Sequence, residues 1–138
     1  MTQACSRRYS RVVFLNLSNH PSAGWSPLQL AEAEALGGGV VDEPFPDVAP
    51  EASTAEIGEI GADLVARIAA RSPRAAMVQG EFTLAFYLVS ELESRGIACY
   101  AATTRRVTET RTLPGGAAEK TSRFEFVQFR RYPVATLH

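Results

Sequence analysis

The chain has 138 residues, 46% of them apolar and 21% charged, which suits one domain with one core. Its formal net charge of −1 lacks the basic excess of a general nucleic-acid binder, and no apolar run reaches the roughly 18–20 residues that span a bilayer. Two cysteines, Cys5 and Cys99, are too few for a disulfide scaffold or a zinc finger, and residues 1–11 hold no apolar stretch of signal-peptide length, so a reduced, cytoplasmic protein is expected.

Residues 11–17 (RVVFLNL) are a short β-branched apolar run that predicts a buried first strand. Ser18, Asn19, His20 and Pro21 then form a polar turn. Ser26, Pro27 and Gln29 have the N-cap, N1 and N3 spacing of a helix start, and residues 37–39, all glycine, stop that helix. Residues 39–43 (GVVDE) predict a second strand, followed by an extended, proline-rich loop. Ser53 and Glu56 make a capping box. Behind it Ile57, Ile60, Gly61, Leu64, Val65 and Ile68 fall on one helical stripe, which ends near Ser72 and Pro73.

Residues 74–78 predict a third strand, residues 79–81 a turn, and residues 82–95 a third helix with Leu84, Leu88 and Leu92 on its core side. Residues 97–102 predict a fourth strand, with residues 103–111 either extending it or looping. A turn at residues 113–116 then joins residues 107–113 and 122–132 in a β-hairpin. Strict alternation there puts Phe124 and Phe126 on one face and Val127 and Phe129 on the other, one for the core and one for a partner. Strands alternating with capped helices mean α/β: a small Rossmann-like parallel sheet with flanking helices and a C-terminal β-hairpin. The expected organisation is a flexible N-terminus (1–10), a single domain (11–132) and a tail (133–138).

Ligands of such sheets sit at the carboxyl ends of the strands. Three polar segments lie there. The first holds Ser18, Asn19 and His20; histidine suits proton exchange near neutrality, and its plainer role is to bond the turn. The second is Gln79, Gly80, Glu81 and Thr83. Gly80 permits close backbone approach, the helix start and the Thr83 hydroxyl suit an anion, and Glu81 is a base, a ribose ligand or simply a partner of the helix dipole. The third holds Thr103, Thr104, Arg105 and Arg106, two hydroxyls and two guanidinium forks suited to phosphate.

Charge is unevenly spread. Residues 12–66 hold nine acidic residues and no Lys or Arg, whereas residues 67–138 hold eleven basic and six acidic ones. Lys120 is the only lysine. A compact ligand with a few phosphates therefore fits better than a long polyanion. No P-loop, no GxGxxG after the first strand and no CxxC pair occurs. A metal site with two histidines would need the terminal His138, so neither metal nor cofactor is expected.

Three stretches carry a family resemblance: residues 16–21 (NLSNHP), 77–81 (MVQGE) and 101–107 (AATTRRV), followed by residues 124–132. Together they resemble the small stand-alone CRISPR-associated Rossmann-fold proteins, several of which are ring nucleases. The resemblance covers most of residues 11–132 and rests on fold order and short turn motifs. It implies a cytoplasmic homodimer that binds a cyclic oligoadenylate, tetra-adenylate foremost, without long nucleic acid or membrane. It further implies metal-independent linearisation by 2′-hydroxyl attack, which switches off type III antiviral signalling. His20, Glu81 and Arg105 then carry the chemistry, and Ser18, Asn19, Gln79, Gly80, Thr83, Thr103, Thr104 and Arg106 bind the ligand. The alternatives are a module that only binds the ring, a small α/β enzyme acting on a nucleotide phosphate, and an interaction protein that uses the hairpin as its surface.

Overall fold

The computed structural model describes residues 12–135. The expected flexible N-terminus, with Cys5 and Arg11, and residues 136–138, with His138, lie outside the described residues.

Strand β1 (Val13–Leu17), helix α1 (Pro27–Gly37), strand β2 (Gly39–Glu43), helix α2 (Thr54–Arg71), strand β3 (Ala75–Val78) and helix α3 (Phe82–Ser94) alternate along the chain. Strands β4 (Ala98–Thr112) and β5 (Ala118–Arg131) complete it, and a short 3-10 turn, Ser22–Gly24, precedes α1. The five strands form one sheet in the order β2-β1-β3-β4-β5. The first four run parallel, and β5 pairs antiparallel with β4. This is the expected α/β class, roughly Rossmann-like. Among the described residues, no helix is long and apolar enough to cross a membrane.

The helices begin where the capping residues stand. The Ser26 hydroxyl accepts from the Gln29 amide at 3.1 Å, with Pro27 at the first helical position. Ser53 and Glu56 close their box from both sides, at 3.1 and 2.9 Å. Gly38, at φ +103°, carries the chain out of α1 through a conformation that side chains resist.

Alternation along β1 divides the core. Leu15 and Leu17 pack with Leu64, Ile68, Leu84 and Leu88 beneath α2 and α3. Phe14 points the other way and packs with Trp25, Ala33 and Met77 beneath α1. Helices thus cover both faces of a sheet whose inner strands are apolar on both sides.

Glu93 ties α3 to the far edge of the sheet. Its carboxylate accepts from the Cys99 amide at 2.8 Å and from Arg131 Nε and Nη2 at 3.1 and 2.7 Å. The Arg131 hydrogen bond is the main reason the Glu93 carboxyl lies below its ordinary value of 4.5. The stability it contributes is therefore complete above 4.5 and lost as pH falls through the lower folded value. Glu93→Gln is expected to cost about 2 kcal/mol at neutral pH. In urea titrations over a pH series, the gap between the two proteins should close as pH drops below 4.5. A gap independent of pH would show that the carboxylate charge is not what holds the strand.

The fourth strand and the first hairpin strand are one element. Only Ala98, Cys99 and Tyr100 of β4 pair with β3; from Ala101 onward β4 pairs with β5 alone. The ribbon continues about 40 Å past the sheet as an arm, at the rise of an extended strand. Gly115 and Gly116, at φ +98° and +90°, turn the chain at its tip.

A bulge corrects the expected alternation. Thr103 faces Gln128 but Thr104 faces Phe126, which leaves Val127 as an extra residue. Phe129 therefore shares a face with Phe126, their rings 5.0 Å apart, instead of lying opposite it. Phe129 also meets Phe14, Trp25 and Tyr100, so this aromatic row roots the arm in the core beneath α1.

Candidate functional site

The strand order reverses direction between β1 and β3. β1 leads outward to β2 while β3 leads the other way to β4, and their exit loops diverge above the carboxyl edge. That crevice is where open α/β sheets hold ligands.

The β1 loop is built around a buried asparagine. Asn16, 1% exposed, lies opposite Asp42 in the sheet register. Its amide donates to the His20 carbonyl at 2.9 Å and to Asp42 Oδ1 at 3.0 Å, and its own oxygen accepts from the Ser18 hydroxyl at 2.6 Å. The His20 amide donates back to Ser18 Oγ at 3.1 Å, and the Trp25 indole N–H donates to the His20 carbonyl at 3.1 Å. The Ser22 amide donates to the Asp42 carboxylate at 3.2 Å. Burial alone would raise the Asp42 carboxyl; the bonds from Asn16 and Ser22 outweigh it and hold the group below its ordinary value. The result is a rigid loop that keeps the side chains of Asn19 and His20 exposed. Ser18, expected to touch ligand, is 5% exposed and serves the loop instead.

The β3 turn is engaged from within the protein. Gln79 Oε1 accepts from the Ala102 amide, which ties β3 to β4. Gly80 does admit a close approach, but to Phe45: a Cβ there would lie 2.4 Å from the Phe45 ring. Glu81 caps α3, accepting from the Leu84 amide at 2.9 Å and from the Thr83 hydroxyl at 2.6 Å. Those bonds, Thr83 first, hold its carboxyl below the ordinary range, which suits a cap better than a base. The carboxylate also takes the place at the helix start that a phosphate would fill, so the anion site expected at Glu81 and Thr83 is already occupied by the protein.

The third segment is not a turn. Thr103, Thr104, Arg105 and Arg106 lie within β4. The Thr103 hydroxyl donates to the Gln128 carbonyl at 3.2 Å. Arg105 lies opposite Glu125 and Arg106 opposite Phe124, so alternation sends the two guanidiniums to opposite faces of the arm. They cannot form the single phosphate fork expected of them. Thr104 and Arg105 do border a groove of about 620 Å³ between the arm and the start of α1, with Ser26 and Gln29 on its other wall.

Some features escape the sequence pattern. Asn16 interrupts an apolar run and reads as the edge of a strand. Phe82 and Phe86, one turn apart on α3, are 89% and 79% exposed beside a second cavity of about 510 Å³ lined by Ile57, Gly58 and Tyr87. Among the described residues, no three His, Cys, Asp or Glu side chains converge to hold a metal ion.

Residues 12–130 match the family model described as Uncharacterized protein MJ1673 family. The chain belongs to this family. The MJ1673 match runs from the residue before β1 to the penultimate residue of β5, so it includes the β1 loop and the arm. No curated protein and no solved structure matches the chain.

Proposed function

We propose that the carboxyl edge of the sheet binds a cyclic oligoadenylate, tetra-adenylate foremost, and linearises it, in the cytoplasm, to switch off type III antiviral signalling. The observation that carries this reading is the Asn16–Ser18–Asp42 network, in which buried Asn16 and Ser18 join exposed Asp42 in holding the His20 loop in place at the switch point. Buried polar networks of this kind specify geometry, and preorganised geometry is what in-line attack at phosphorus requires. His20 takes the proton of a ribose 2′-hydroxyl, whose oxygen attacks the adjacent phosphorus. The 5′-oxygen leaves and takes up the proton that His20 removed, and the product is a linear oligonucleotide ending in a 2′,3′-cyclic phosphate. Arg105 stabilises the charge that builds on the phosphoryl oxygens. A homodimer presents each loop twice to a two-fold ligand, with Phe82 and Phe86 as the apolar surface available for that contact.

Chromatography of cyclic tri-, tetra- and hexa-adenylate after incubation with the protein, with and without EDTA, tests the reading. Linear product is expected in both conditions. His20→Ala should lower turnover about 10²-fold or more while leaving binding nearly unchanged. No cleavage of any ring at stoichiometric protein would overturn the catalytic assignment. A second reading, capture of the ring without cleavage, is favoured by the engagement of Glu81 in its cap, which leaves His20 without a carboxylate partner from the β3 turn. Binding without product would select it.

A further inference from the structure

The two faces of the arm differ in charge. Beyond the bulge the register pairs Thr104 with Phe126, Arg106 with Phe124, Thr108 with Ser122 and Thr110 with Lys120, and alternation puts these on one face. The arm's three carboxylates, Glu109, Glu119 and Glu125, all lie on the other. Each is paired there: Arg111 with Glu119 at 2.8 Å, and Arg123 with Glu125 at 3.2 Å and with Glu109. The first face has no acidic residue. Its cations, Arg106 and Lys120, stand among threonine and serine hydroxyls, and the one bond of Arg106 to this face is to Ser122 at 3.3 Å. A guanidinium keeps further donors for a ligand after one such bond.

Phe124 lies directly opposite Arg106, with Lys120 two rungs further out on the same face, and is 70% exposed. It extends the row that begins with Phe129 and Phe126 in the core, so its ring is held on a rooted ribbon. The groove of about 620 Å³ opens at its foot, and Phe124 and Phe126 are among its walls. An exposed aromatic ring beside one cation, with hydroxyls and a second cation following along the same strand pair, on a face of the arm cleared of acids, is a composition that suits single-stranded nucleic acid: bases stack on the ring and phosphates meet the cations. A second copy that met this face with the same face of its own arm would bring positive charge against positive charge. An acidic peptide would leave the phenyl ring without a planar partner.

We infer that the acid-free face of the arm holds a short single-stranded oligonucleotide, with one base on Phe124 and phosphates on Arg106 and Lys120. The contact involves few phosphates, which agrees with a chain of nearly neutral net charge. It is independent of ring cleavage at the strand ends.

Fluorescence anisotropy with a short labelled oligouridylate, and with oligothymidylate of the same length, tests it on the full chain. Binding is expected at low salt, and tighter binding of the first would identify RNA as the source. Phe124→Ala is expected to weaken it about tenfold, and the double variant Arg106→Gln, Lys120→Gln by a similar factor. Two phosphate contacts on a single strand give a log–log salt slope of about −1.4, which the double variant should abolish. Arg111→Gln, on the opposite face, should bind like the wild type. These side chains are exposed; should Phe124→Ala nevertheless fail to fold, the charge pair decides. Absence of binding to both oligomers overturns the inference. So does binding that none of these substitutions weakens, or binding that polyglutamate displaces as readily as oligouridylate does.

Discussion

Asn16→Leu is expected to lower stability by about 3 kcal/mol, although the side chains are similar in size. Leucine at this 1%-exposed position would leave the Ser18 hydroxyl without its acceptor and the His20 carbonyl without one of its two donors. A buried polar group stripped of its partner costs about 1–3 kcal/mol, and more than one group is affected. The Asp42 carboxylate would also lose its bond from Asn16. In a domain of this size the loss corresponds to about 10 °C in melting temperature. The local consequence is measurable as well. Trp25, the only tryptophan, donates to the same His20 carbonyl, so its fluorescence reports the loop directly. Urea unfolding followed by that signal should show a lower midpoint and a native baseline altered before the transition. A loss under about 1 kcal/mol with an unchanged native spectrum would mean that the loop holds its shape without the asparagine.

Phe129→Ala should cost about 3 kcal/mol and loosen the arm. The ring sits among Phe14, Trp25, Tyr100 and Phe126, at centroid distances from 5.0 to 6.5 Å. Removing it opens a cavity beneath α1 and cuts the aromatic row that joins the arm to the core. A two-stranded ribbon is marginal by itself, so the arm depends on that root. Hydrogen exchange should show faster exchange of the amides of β4 and β5 beyond the bulge, with α2 and α3 much less affected. Uniform acceleration over the whole chain would show that the arm and the core unfold as one unit.

The element order was legible because its signals are local. Ser26 with Pro27, and Ser53 with Glu56, mark helix starts by chemistry that acts within one turn. The arm was less legible. Residues 103–111 are mostly threonine and charged groups, and such a segment is satisfied equally by water in a loop or by a neighbouring strand. Only pairing with β5 decides, and that pairing is non-local. The bulge is invisible for the same reason: nothing in residues 126–129 (FVQF) marks Val127 as the extra residue.

The position of the three polar segments is easier to read from the sequence than the contacts their side chains make. The strand ends were identified from the β-α alternation, and His20 does stand there exposed. Ser18, Gly80 and Glu81 suit a ligand by residue type, because small and polar residues in a turn look alike whether they serve a ligand or the fold. The distinction lies in partners distant in sequence. Asp42 anchors the network to which Ser18 belongs, and Phe45 takes the space that Gly80 leaves open.

The bulge also makes the arm tolerant of a change in chain length. Phe126 and Phe129 share a face although three positions separate them, because Val127 is taken up outside the ladder. Deleting Val127 would leave the two rings at ordinary alternation and keep Phe124, Arg106 and Lys120 on the face they now occupy. What would be lost is the bend and the added twist that an extra residue gives its strand. Val127 thus sets the direction in which the arm leaves the sheet, while the register alone sets which face carries its cations.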